Sequence, residues 1–382
     1  MQDGIFVLDG VSHAFDMSPA NFANERYAQG LNELQSALFA SQPPGYDLEA
    51  QATIRNWSVD DTANILFRES YTDVAIFHPV PIFFYKDGLS GFEKALEATK
   101  RWPTRFIGSY CAVDPLSPDP VGEFQRQFEQ LDNPVGLKLY PVGFDSHGEA
   151  TPWRMDDPRL GWPLYEKCRE LGLNNVAIHK SLPLGPAPNG RAFHPEDVEG
   201  AALAFPDINF SIVHGGMAFT EETAWLVARF PNIWINMESL NITLMLRPRV
   251  FAEMLAGIMS IAGESVIDRM YWASGAMNCH PRPSLEAFMT FQIPDEVRER
   301  VGTFFEIPQL TDEHRRKILG ENLARLHGFD IDKLASAIED DEFSDTQGKE
   351  LPVPYSTTPL ADAVQTPFTP SRSQPVGPAS PV

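Results

Sequence analysis

The sequence predicts an α/β fold, a (β/α)8 TIM barrel followed by a Pro-rich, extended C-terminal tail. Three observations predict it. Eight short β-rich runs recur along the first 338 residues, helical segments fill the gaps between them, and histidines gather at the ends of the runs. Strands that are apolar on both faces and separated by helices imply parallel pairing with crossovers.

The runs, in order, are IFVLD, VAIF, RFIGSYCAV, GLKLY, NVAIH, INFSIVH, NIWINME and MYWAS. Between them lie DDTANILFRES, GFEKALEATKRW, VGEFQRQFEQL, GWPLYEKCRELGL, PEDVEGAALAF, TEETAWLVARF and LRPRVFAEMLAGIMSIAG. Several of these open with Ser, Thr or Asp ahead of an acidic first turn, the usual start of a helix. Eight such units fit one barrel, since barrels of this type reach ~250 residues as a single unit. An open doubly wound sheet is the competitor. No Gly-rich phosphate fingerprint follows an early strand, which removes its main support.

Residues 1–338 are read as the barrel and 339–382 as an acidic and then Pro-rich tail. Such a tail is expected to be disordered, or to wrap a partner subunit through Tyr355, Leu360, Val364 and Phe368. The net charge of −22 argues against nucleic acid as a partner, because phosphate binding needs clustered Lys and Arg. No run of about 18 apolar residues predicts a membrane span, and the N-terminus lacks the basic and apolar regions of a signal peptide. Three scattered cysteines make no disulfide framework. A cytoplasmic enzyme with a small-molecule substrate is the expectation.

In a barrel the chemistry sits where the βα loops meet, at the C-terminal ends of the strands. Of nine histidines, His13, His78, His179, His214 and His280 fall at or just beyond such ends, and Glu238 closes the seventh run. A single histidine is more often structural, but five converging with a carboxylate point to a transition metal such as Zn, Fe or Mn. Lys138 interrupts the fourth run, either to pair with a carboxylate such as Glu238 or, carboxylated, to bridge two metals. Cys279 is a candidate soft ligand set against an inert buried thiol. Arg247, Arg249, Arg282 and Lys180 are candidate clamps for a substrate carboxylate.

From about Ile5 to Phe329 the chain resembles the amidohydrolase superfamily, in the branch of amidohydrolase-related hydrolases and metal-dependent decarboxylases. The resemblance rests on LDGVSH, GLKLYP, VAIHKS, FPDINFSIVHGG and ILGENLARLHGF. It implies that His13 and His179 bind metal, and that His214 binds metal or activates water. Two departures stand out. Val11 replaces the first histidine of the usual Asp-x-His-x-His, and Ala273-Ser274-Gly275 lacks the strand-eight aspartate that takes a proton from water.

The segments AIFHPVPIFFYKDG and GAMNCHPRP look like a small offshoot of that superfamily, similar to 2-aminoisobutyrate hydroxylase, whose barrels hold non-haem iron or manganese. On that resemblance His78 and His280 would fill the missing positions, and the chain would pair with a related barrel subunit. The expected site is therefore one or two transition metals, Fe or Mn ahead of Zn, held by His13, His179, His214, His280, Glu238 and His78. His214 and Glu238 would be catalytic, and Asp9 would orient a ligand. The leading expectation is an O2-using hydroxylase, or a subunit of one, acting on a small amino or carboxylic acid. The alternatives are a metal-dependent hydrolase or non-oxidative decarboxylase, and a catalytically silent metal-binding partner in a homo- or hetero-oligomer.

Overall fold

The computed structural model describes residues 4–145, 147, 149–182, 190–302, 304–344 and 350–358. Eight parallel strands form one sheet in chain order: β1 (Leu8–Ser12), β2 (Val74–Phe77), β3 (Phe106–Ala112), β4 (Pro134–Leu139), β5 (Asn175–His179), β6 (Asn209–Val213), β7 (Ile233–Asn236) and β8 (Met270–Tyr271). The seam between β8 and β1 has no continuous ladder. Single backbone bonds close it, Gly10 N to Trp272 O and Gly275 N to Val11 O, each 3.0 Å, together with a parallel bridge from Ser12 to Ala276. Gly10 is required there, since a Cβ would lie 2.8 Å from the Tyr271 ring.

Strand residues alternate between two cores, as pleating demands. Val74 and Ile76 join Leu8, Tyr110, Ala177, Val213 and Tyr271 in one cluster with Leu323 and Leu326. Their neighbours Ala75 and Phe77 face outward into another. The crossovers are α2 (Val59–Phe67), α3 (Phe92–Arg101), α4 (Pro120–Gln130), α5 (Gly161–Glu170), α6 (Val198–Ala204), α7 (Thr220–Arg229) and α8 (Pro248–Ala262), and α9 (Pro281–Thr290) follows β8. The capping box of Ser58 and Asp61 starts α2. A short antiparallel hairpin, Val142–Phe144 with Ala150–Pro152, is inserted after β4.

Residues 14–57 form a cap. Its main helix, α1 (Glu25–Ala40), is opened by Asn24, whose side chain accepts from Tyr27 N. Leu31 and Phe39 pack with Trp57, Val80 and Phe84. Beyond residue 338, Arg105 pairs with Asp341, and Phe343 packs on Phe67 and Trp102. Residues 350–358 then lie across this chain's own barrel, with Tyr355 buried. Leu360, Val364 and Phe368 lie outside the described residues. Among the described residues no helix is long and apolar enough to cross a membrane.

Candidate active site

Four expected residues line one pocket at the C-terminal end of the barrel: His13, His179, His214 and Glu238. His13 follows β1 and His179 ends β5. His214 follows β6 in the left-handed region, at φ 68°, and Gly215 and Gly216 continue the turn at 50° and 88°. Ser239, just past Glu238, is also left-handed, at φ 65°. Such strain in non-glycine residues persists only where the surroundings enforce it, and it gathers at functional sites.

Each imidazole is anchored through its outer nitrogen. His13 Nδ1 meets His78 O at 2.7 Å, His179 Nε2 meets Leu182 O at 2.7 Å, and His214 Nδ1 meets Ser239 Oγ at 3.0 Å. The inner nitrogens face the pocket. His179 Nδ1 and His214 Nε2 are 2.9 Å apart, and His13 Nε2 is 3.6 Å from Glu238 Oε1. Metal-bound histidines are held in this way, donating the remote N–H to a fixed acceptor. Among the described residues no three His, Cys, Asp or Glu side chains are arranged to hold a metal as they stand, the rings being turned to one another and to Glu238. The donor set and its outer anchors nevertheless fit a divalent transition metal.

The electrostatics suit the same purpose. Burial pushes the pKa of His179 well below its usual value and that of His214 down to about 4, so both rings are neutral and able to ligate at pH 7. Burial raises the Glu238 carboxyl, but His214, His13 and Lys138 outweigh it, and the group stays ionised. Lys138 makes no close ion pair with Glu238, although its charge acts on that carboxylate. Its ammonium lies 5.3 Å from the centre of the Tyr140 ring, and burial lowers its pKa to about 8. Asp9 does not orient an imidazole either. Its Oδ1 accepts from Ser274 N at 2.8 Å and Val11 N at 3.1 Å, tying β1 to the segment after β8, and burial raises its pKa to about 7.

Two expected ligands sit elsewhere. His78 is stacked on Tyr110 at 4.2 Å, edge-on to His13 at 6.3 Å, and neither of its ring nitrogens has a hydrogen-bond partner among the described residues. His280 caps α9 and faces away from the pocket residues, with Nε2 3.2 Å from Glu69 Oε2. Its near neighbour Asn278 enters the pocket instead, donating to Glu238 Oε1 at 3.1 Å. Cys279 is a buried thiol whose pKa burial pushes up to about 12.

The clamp candidates are engaged elsewhere too. Lys180 is paired with Asp197, Arg282 with Glu286, and Arg249 with Glu253, while Arg247 donates to Leu246 O. Ser239, Asn278 and the cap residues Leu31, Leu34, Gln35 and Leu38 line the pocket, and none was singled out in the sequence. The leucines were visible there as an i, i+3, i+7 stripe.

Residues 86–329 match the family model described as amidohydrolase. Among curated proteins none matches the sequence. Solved structures share the fold at low identity. An uncharacterised TIM-barrel protein from Bordetella bronchiseptica is 18% identical with a TM-score of 0.58, over 87% of this chain and 99% of that one. 2,6-Dihydroxybenzoate decarboxylase, solved with 2,6-dihydroxybenzoate, is 16% identical with a TM-score of 0.51, over 85% and 100%. 5-Carboxyvanillate decarboxylase from Novosphingobium aromaticivorans, solved with manganese and 4-hydroxy-3-methoxy-5-nitrobenzoic acid, is 14% identical with a TM-score of 0.52, over 86% and 97%. With the barrel, the histidines at its strand ends and a family match over more than half its length, this chain belongs to the amidohydrolase family.

Proposed function

We propose that the chain is a metal-dependent decarboxylase that releases CO2 from a small organic acid without an oxidant. The observation that carries this reading is the set of three imidazoles, each anchored through one nitrogen and turned with the other toward its neighbours in the pocket, beside an ionised Glu238 and a strand-eight segment that offers serine where water-activating chemistry wants a carboxylate. His13, His179 and His214 would hold the metal. When bound, it would supply a Lewis acid that draws off the electron pair left as CO2 departs.

The rest falls to the chain's own groups. Glu238 is the single carboxylate among the described pocket residues, and Asn278 Nδ2 fixes its Oε1. It can take a proton from the reacting molecule and return it to the carbon that has lost CO2. The cap keeps bulk water from that carbon. The decarboxylase neighbours and the manganese in one of them support the reading by analogy of fold.

A second reading, the O2-using Fe or Mn hydroxylase or a subunit of one, is favoured by His78, an imidazole with both nitrogens unpartnered beside His13. His280 would not take part, being held on Glu69. Elemental analysis of the purified chain, followed by assays of CO2 release with and without oxygen on a panel of small acids, tests both. One metal per chain with oxygen-independent CO2 release is expected. Oxygen consumption with near two Fe or Mn per chain would favour the hydroxylase. No stoichiometric transition metal would end both readings.

A further inference from the structure

We infer that the molecule taken by this pocket has a compact apolar body, one polar reacting end and no second charged group. The inference rests on the decarboxylase reading only for where the polar end sits. Above the histidines the walls are Leu31, Leu34 and Leu38 of α1 and Val80, Ile82 and Leu89 of the loop after β2. The polar lining residues are His13, His179, His214, Glu238, Ser239, Asn278, Gln35 and Tyr140, and no Lys or Arg occurs among the described lining residues. Lys180, Arg249 and Arg282 are paired elsewhere, and Lys138, the buried ammonium whose charge already acts on Glu238, does not line the pocket.

The space open to the centres of water-sized molecules is about 60 Å³, room for about four to six waters at about 10–15 Å³ each on that measure. Large or strongly hydrated molecules are therefore excluded unless α1 moves. Leu34 is 42% exposed on that helix, an apolar side chain at the pocket's rim that a ligand would cover. Each methylene buried against such walls contributes about 0.8 kcal/mol, roughly a fourfold gain in affinity. A second carboxylate would be desolvated against leucines with nothing to pair it, which costs several kcal/mol. The three leucines of α1 are thus specificity-determining residues, acting through shape and desolvation.

The probes are straight-chain monocarboxylates from acetate to octanoate and the dicarboxylates of equal length, titrated calorimetrically into the purified full chain with its metal content measured on the same samples. Affinity should rise roughly three- to fourfold per methylene until the space is filled, and each dicarboxylate should bind at least about tenfold more weakly than its partner. Leu34→Ser, at an exposed position where folding is safe, should flatten the gradient and leave metal content unchanged. A gradient near one per methylene, dicarboxylates that bind equally well, or an unaltered gradient in both Leu34→Ser and Leu38→Ser would overturn the inference. Metal content reports separately on the functional reading. A metal-free chain that keeps the gradient retires the metal and supports the apolar pocket, and a metal-bearing chain with no gradient does the reverse.

Discussion

Gln35 of α1 donates to Asn278 Oδ1 at 2.8 Å, and Asn278 Nδ2 donates in turn to Glu238 Oε1 at 3.1 Å. A residue of the cap therefore reaches the one pocket carboxylate through a single intermediary. Gln35→Ala should cost about 1 kcal/mol of stability, and it should raise hydrogen exchange in residues 25–40 more than in the barrel strands. Equal exchange in the two regions would mean that the cap is held by its apolar contacts alone.

Ser239 Oγ is the outer partner of His214 Nδ1. Removing such partners typically costs ten- to a hundredfold in metal affinity. Ser239→Ala is expected to show that loss in a competition assay with a chelator, while His179→Ala and His214→Ala lose stoichiometric metal with their circular dichroism intact. A Ser239→Ala protein that binds metal as tightly as the parent would show that the ring needs no outer acceptor.

Glu69 is buried and accepts from Tyr355 N at 2.6 Å, Thr357 N at 2.7 Å and Thr357 Oγ1 at 2.6 Å, with His280 Nε2 at 3.2 Å. Burial raises its pKa, and these partners outweigh that and hold it lowered. Glu69→Ala strips four groups of their partner at once and should cost about 3–5 kcal/mol. Truncation after Ile338 should also destabilise the barrel, because it removes the Tyr355 and Thr357 donors of Glu69 together with the Arg105–Asp341 pair. Denaturant unfolding of both variants checks this, and a loss under 1 kcal/mol in each would contradict it.

His327 lies between Asn175 Nδ2, 3.1 Å from its Nδ1, and the Tyr110 hydroxyl, 3.3 Å from its Nε2. Burial lowers its pKa to about 3, against 6.5 for the free side chain. The unfolded chain therefore binds a proton more readily than the folded one. Stability from this residue is complete above pH 6.5 and is lost as the pH falls toward 3, by roughly 1.4 kcal/mol per unit. His327→Gln should flatten the slope of unfolding free energy against pH between 6 and 4; an unchanged slope would place the effect elsewhere.

Gly10→Ala would drive a methyl group into Tyr271 at the seam of the barrel. A loss of about 1–3 kcal/mol is expected, measured by thermal unfolding, and a neutral outcome would mean that the seam gives way freely.

The strands were legible in the sequence as runs apolar on both faces, and His179, His214 and Glu238 as the polar ends of such runs, with His13 four positions past the end of the first. His280 and Asn278 were not separable in this way. They lie two residues apart in a loop after a strand of two residues, with no periodicity to say which faces inward, and the chain turns Asn278 to Glu238 and His280 to Glu69. Glu69 carried no local signal at all, because its partners are 286 and 288 residues away. Lys138 looked like half of an ion pair on charge alone, whereas Tyr140, two positions on and on the same side of the strand, took its ammonium.

The stitch between Glu69 and Tyr355 has a bearing on biosynthesis. A ribosome adding ~5–20 residues per second needs roughly a quarter of a minute to a minute to travel the 286 positions separating them. Glu69 is made long before its donors, so this contact forms only once residues 355–357 have emerged.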